Sequence, residues 1–544
     1  SLSLVANRYF NVVKSDTDLN LVTQTRLLDG LQANPNAEVD FAVSGQQVPR
    51  SNNQGIPSAK SVADIGQIAI LPEHLRNPVK LALEGETAAT METGSAIRTD
   101  KGSTVDISTN NTGKGIYIDG LIEALAGEIN LSLIAGGAEL YRPEQAIWLG
   151  PKANLTAKGA SRLKPVDNFG RTTGDVLPGG KVTIKADTGF VVFEQGAKVD
   201  VSGSNARLDL PVAKTADGGI QYAKKNIGSD AGKVTIKAAE GIVLDGAFSA
   251  TGGSPSNQGG RLDVTLDRNN RKDSVDAYPT NVLTIDVVQQ DQKILPTGLN
   301  FGDEIPTGLN GRAIISSEEV ALAGFDDLRL TSPFYIPKIV NDVQDFQLPP
   351  SEIRFIGDVD LNAANSIYLD AQTVRSGYLD GSSAGIANLN TRFLQLGSTS
   401  TGDRQSKFST FIGIAKFDRD VEDSKLGNGK LTTNATWTQL TGASLLTGFN
   451  QVNLNSSHDL RAVGFRLEPS SQRGFNGGLR TAADLGLSAS QIYPSTLSNY
   501  TFSVINPDGK LVIAGRNSDF TPLSAGGKLV FTAPTIEQNG VVKA

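Results

Sequence analysis

From Gly179 to Gly203 the sequence GGKVTIKADTGFVVFEQGAKVDVSG holds three short runs of alternating apolar and polar residues, broken at glycines. Fifty-two residues later, from Ala231 to Gly253, AGKVTIKAAEGIVLDGAFSATGG repeats the pattern. Successive side chains of a strand point to opposite faces, so the alternation predicts strands with one buried face. In the first copy Val182 and Ile184 are expected inward, with Thr183 and Lys185 outward. After a turn at Gly189, Phe190 and Val192 are expected inward, then Val199 and Val201 around an outward Asp200. The second copy supplies Val234 and Ile236, Ile242 and Leu244, and Phe248 and Ala250. A unit this thin cannot bury its apolar face alone and must stack on its own copies. The pattern predicts an all-β solenoid, a parallel β-helix, in which Ile236→Asp breaks the local coils while Lys237→Asp is nearly silent.

Weaker units recur as LGPKANLTAKG (149–159), GDVDLNAANSIYLDAQTV (357–374) and AGGKLVFTAPTIEQNG (525–540). They divide the chain into an irregular N-terminal part with short strands (1–100), β-helix coils (101–268), a Pro-containing insertion (269–350) and a second β-helix region (351–544). The last is interrupted by a loop-rich insertion at about 377–442. The insertion at 269–350 opens near DRNNRKD and carries PTGLN twice, at 296–300 and 306–310. Loops tolerate variation that the shaft cannot, so any binding is expected on these two insertions. Roughly 15 to 20 coils at ~4.8 Å each give a rod of roughly 70 to 100 Å.

Composition narrows the core. Only 6% of the 544 residues are aromatic and 58 are Gly, which suits thin rows of Val, Ile, Leu and Ala joined by tight turns. The 50 basic and 57 acidic residues are interspersed, leaving no basic block for nucleic acid. The absence of Cys excludes disulfides, thiolate metal sites and cysteine nucleophiles. With two His, no metal or cofactor site is expected. No apolar run approaches the ~20 residues of a membrane-spanning helix. A start at Ser1 and a single Met suggest a processed product or an internal piece.

Carboxylates weighed as catalytic groups are Asp245, Asp326, Asp327, Asp358 and Asp360, each at a turn or outward strand position. A GxSxG match runs from Gly381 to Gly385 around Ser383, but no helix pattern follows it, and only His74 and His458 exist to act as base. No catalytic residue is assigned. N-x-S/T sequons stand at Asn110, Asn130, Asn154, Asn434, Asn455 and Asn499.

The coils quoted above and the final stretches SASQIYPSTLSNYTFSVINPDGKLVIAG and TPLSAGGKLVFTAPTIEQNGVVKA resemble the filamentous haemagglutinin-type large exoproteins of Gram-negative bacteria, the two-partner secretion family. So do GFDDLRLTS, GDVDLNAANSIYLDA and GFNQVNLNSSHDLRAVG, in that order, over about residues 100–544. The resemblance implies a right-handed parallel β-helix at the cell surface, exported through an outer-membrane two-partner secretion transporter. Its implied use is adhesion, aggregation or biofilm, against an unidentified host, bacterial or matrix receptor, with self-association into fibres as a further expectation. Some relatives carry a toxin on such a stalk, and other β-helices degrade polysaccharide. The NPNG- or NPNL-like motif of the family's secretion domain is approached only at Asn34, Pro35 and Asn36, followed by Ala37. The chain therefore reads as an interior or C-terminal shaft segment.

Overall fold

A computed structural model describes residues 76–110, 113–134, 142–214, 218–267, 283–290, 294–333, 351–398, 424–465, 475–515 and 524–539 in full, and the backbone of short strands within 2–70 and 339–344. The two KVTIKA runs, Lys181–Ala186 and Lys233–Ala238, lie side by side as parallel strands, with Val182 on Val234 and Ile184 on Ile236. The same inner row continues through Leu81, Val105, Ile129, Val182, Val234, Leu262, Leu328, Ile367 and Leu394, each the register partner of the next. All are buried in one continuous core. Each such side chain contributes about 1.5–3 kcal/mol, while the backbone groups pair with the coils above and below.

The fold is a parallel β-helix whose coils turn through three faces. One coil runs from Lys181–Ala186 on the first face to Phe190–Phe193 on the second and Lys198–Asp200 on the third. Gly189 makes the first corner at φ 76°, and a Cβ there would lie 2.3 Å from the Gln145 carbonyl oxygen. The second face stacks 14 strands, about 60 Å at ~4.8 Å per step and shorter than expected. The missing length lies in excursions. Thr104 pairs with Glu128 after only 24 residues, whereas the 52-residue period also contains a hairpin, Asn205–Lys214 with Ile220–Gly228.

Several boundaries move. Coils begin before 101, because Lys80–Gly85, Ala88–Met91 and Ala96–Thr99 form a regular turn on which Leu2–Ala6, Tyr9–Val12 and Leu19–Leu21 stack. Residues 269–350 are not one insertion: Thr284–Val288 and Arg312–Ser316 belong to the second face and Phe325–Ser332 to the first. The region 377–442 likewise contributes two long shaft strands, Ile386–Leu396 and Gly429–Thr441. Lys237 is also no silent position, since its ammonium lies 2.6 Å from the buried Asp267 carboxylate.

At the middle of the stack the chain overshoots and returns. Thr284–Val288 pairs with Glu352–Ile356 on one side and with the later strand Arg312–Ser316 on the other, and Arg312 pairs back to Gly241. Between them, 294–311 runs across the outside of the second face as a strap. Asp245 fixes its start by accepting the Ile294 and Leu295 N–H groups at 3.2 and 3.1 Å. Phe301 packs 5.4 Å from Tyr117, and the Ile305 N–H reaches the Pro143 carbonyl at 3.0 Å. Leu295 and Ile305 close a second small core with Ala146, Trp148, Phe190, Val192 and Val243, and burial pushes the Tyr117 phenol up to about 12. The expected register of this strand is thus corrected: Val191 and Phe193 face the interior, while Phe190 and Val192 face outward beneath the strap.

The third face breaks at the same level. Above Ala247–Ser249 the chain forms a helix, α1 (Ser317–Ala323), capped by the Ser316 hydroxyl and ended by Gly324 at φ 82°. The Ala250 N–H donates to the Ala323 carbonyl at 2.7 Å, seating the helix on the coil below. The face resumes with the first half of Val359–Ala371, a strand that bends between Ala363 and Ser366 onto the first face.

Candidate functional site

Replacing a strand by α1 leaves an open groove of about 440 Å³ where the helix meets the resumed third face. Ala321, Gly324, Ala363 and Ala364 make the space because they are small, and the polar groups at its rim are Asp326, Asn362, Asn390 and Thr391. One Asp326 oxygen accepts the Gly259 N–H at 2.6 Å. Asn362 accepts from the Asn390 carboxamide at 2.8 Å, Asn390 from Asn434 at 2.9 Å, and Asn434 from Asn455 at 3.4 Å. A second row starts beside it, with Asn388 donating to Asp360 at 2.7 Å. The groove is therefore the lower end of a carboxamide ladder along the third face. It presents hydrogen-bonding groups with one carboxylate, and lacks the paired carboxylates of glycoside hydrolysis.

The other weighed carboxylates are also engaged in structure. Asp245 holds the strap. Asp327 accepts from the Asn365 side chain at 2.9 Å and from the Ser366 hydroxyl. Asp358 accepts the Ile386 N–H at 2.8 Å across the corner. Of the five, Asp326 alone lines the groove.

Ser383 sits in an exposed turn at φ 56°, with its carbonyl accepting the Gly357 N–H at 2.7 Å, and a strand follows it. Asp380 in the same turn is held below the usual carboxylate range by the Ser382 hydroxyl and N–H. His458 lies at a different corner, between the third and first faces, stacked on Trp437 at 5.5 Å. His74 falls outside the described residues. Among the described residues no group of three His, Cys, Asp or Glu converges as a metal site, and no helix is long and apolar enough to cross a membrane.

The asparagines that read as sequons are partly rungs. Asn130 donates to Asp106 at 2.8 Å, Asn499 to Asn476 at 3.1 Å, and Asn434 and Asn455 belong to the ladder. Asn110 and Asn154 lie on the strands Thr104–Asn110 and Asn154–Thr156. The ladder has a signal in the sequence: D-x-N at 360–362, N-x-N at 388–390, T-x-N at 432–434 and N-x-N at 453–455. An aromatic row lies on the same strands. Arg329 lies 4.7 Å over Tyr368, which packs 5.5 Å from Phe393, the register partner of Trp437.

Scans against protein-family models, curated proteins and solved structures each return no match. The resemblance to filamentous haemagglutinin-type exoproteins therefore stands on the sequence phrases alone.

Proposed function

We propose that the chain is a structural and adhesive element, the rigid shaft of an extracellular filament that holds its excursions clear of a bacterial surface. The observation that carries this reading is the unbroken parallel pairing from Lys80 to Gln538, sustained even where the third face changes from strand to helix. A stack of this kind is stiff along its axis because each coil is fixed by its neighbours. In this reading an outer-membrane two-partner secretion transporter exports the chain, which then meets a host, bacterial or matrix surface and associates with other rods. Immunogold microscopy of intact source cells tests it. Gold on thin surface projections is the expected result, and label confined to the cell interior would overturn it.

A further inference from the structure

Two excursions leave the stack between the third and first faces and pack on each other. The first, 160–178, is the hairpin Ala160–Leu163 with Gly174–Leu177, and the second, 204–229, contains Asn205–Lys214 with Ile220–Gly228. They are joined by a reciprocal pair: buried Asp209 accepts the Thr172 N–H at 2.7 Å and donates its own N–H to the Thr172 carbonyl at 2.8 Å. The Arg171 guanidinium, held by Asp167 at 2.6 Å, lies 4.7 Å from the Phe169 ring and 4.2 Å from the Tyr222 ring. This sets the tip of the first hairpin against the second at Tyr222, whose register partner is Pro211.

Large apolar residues on both hairpins face water. Phe169 is 81% exposed, Val166 61%, Ile220 54% and Val212 43%. Single exposed apolar side chains are ordinary, but here four large ones lie on two hairpins that meet at Arg171 and Tyr222. On the same two hairpins Lys164, Arg207, Lys214, Lys224 and Lys225 are exposed and make no ion pair among the described residues. On the first face, by contrast, Lys80, Lys181, Lys233 and Lys237 each hold a carboxylate. The two excursions carry seven basic and four acidic residues in a chain whose total is 50 and 57.

We propose that this double-hairpin lobe docks on an anionic lipid bilayer. Phe169, Val166, Val212 and Ile220 enter the boundary between headgroups and acyl chains, and the unpaired cations lie against the lipid phosphates. Interfacial binding of this kind scales with buried apolar area and with attraction to anionic lipid. A soluble polyanion would engage the cations alone and leave the tips in water, so the bilayer is the partner that accounts for both features. The proposal is independent of where the chain resides in its source cell, since purified chain and vesicles suffice to test it.

The test is co-sedimentation of the full chain with vesicles of phosphatidylcholine containing phosphatidylglycerol, and with vesicles of phosphatidylcholine alone. The anionic vesicles are expected to bind about tenfold or more tightly, with binding lost at high salt. The exposed-tip variant Phe169→Ser/Val166→Ser and the charge variant Lys224→Glu/Lys225→Glu, each checked for native circular dichroism, are each expected to lose about tenfold. Absence of vesicle binding, or equal binding to both vesicle types, would overturn the proposal. Undiminished vesicle binding by the Phe169→Ser/Val166→Ser variant, together with equal retention of both chains on heparin, would assign the lobe to polyanions instead. Self-association of the free chain that disappears in the tip variant would assign it to a second copy.

Discussion

The stack before α1 and the stack after it share one parallel backbone ladder but differ in the side-chain rows it carries. On the first face of the earlier coils, lysines bridge to carboxylates: Lys80 to Asp106 at 2.8 Å, Lys181 to Glu128 at 2.8 Å and Lys233 to Asp263 at 2.6 Å. On the third face of the later coils the cross-coil contacts from Asn362 to Asn455 are neutral carboxamides, while further along that face Lys510 bridges to Glu537 at 2.6 Å. The interiors differ as well. Inner positions of the earlier coils are mostly Val, Ile, Leu, Ala and Phe, with Met91 and the hydroxyl residue Thr109 among them, whereas the later ones admit several hydroxyls, Thr433, Thr438, Ser456 and Tyr500. The Ser456 and Thr438 hydroxyls satisfy each other at 2.6 Å, but those of Thr433 and Tyr500, like that of Thr109 in the earlier stack, find no partner among the described residues. The backbone ladder sets the fold, and it tolerates ionic, amide or even isolated hydroxyl chemistry at the side-chain rows it carries.

The largest effect should follow from charging an inner row. Ile236→Asp buries an unpaired carboxylate between Ile184 and Val264 and is expected to cost more than about 4 kcal/mol, whereas Lys237→Ala, which takes the ammonium from the buried Asp267 carboxylate, should cost about 1–3 kcal/mol. Urea denaturation of the two variants separates them, and equal costs would refute the inner and outer assignment. Next comes the satellite core, which among the described residues lies on the earlier stack. Trp148→Ala empties the space beneath the strap and should lower stability by about 3–5 kcal/mol; a loss below about 1 kcal/mol would mean that the strap does not pack there.

The later stack should respond in the opposite sense at its buried phenol. Burial holds the Tyr500 hydroxyl far above its ordinary pKa with no partner among the described residues, so Tyr500→Phe is expected to raise stability by about 1 kcal/mol. A lower urea midpoint would reveal a partner for the hydroxyl. The smallest difference is ionic. Lys233→Ala should cost about 0.5 kcal/mol at low salt and nothing at 1 M NaCl, while Asn434→Ala should cost about 1 kcal/mol at both. Matching salt responses would remove the distinction between the two outer surfaces.

Strand identity was legible wherever one face of the strand meets water. Val182 and Ile184 alternate with Thr183 and Lys185, and that pattern alone places them correctly. Phe190 to Phe193 is a continuous apolar run covered on both sides, so alternation offered no way to choose its inward pair. The strap showed itself only as a Pro-containing break, because its contacts with Tyr117 and Trp148 lie far off in sequence. The exchange of levels between Thr284–Val288 and Arg312–Ser316 was equally hidden, since register across such distances has no local signal. The groove left no trace in the sequence, being made by the small side chains Ala321, Gly324, Ala363 and Ala364. The paired hairpins were visible only as excess length in a 52-residue period that a single coil does not need.

The in-register parallel stack is tested most directly by thiol bridging in a chain that has no native Cys. Thr183 and Thr235 are outward-facing register partners on adjacent coils, while Thr183 and Lys237 are offset by two residues, roughly 7–8 Å apart. The variant Thr183→Cys/Thr235→Cys should be bridged rapidly by dibromobimane under native conditions, giving strong fluorescence, and Thr183→Cys/Lys237→Cys much more slowly. Preferential bridging of the offset pair, or equal slow reaction of both, would contradict the stacked register of the two KVTIKA strands.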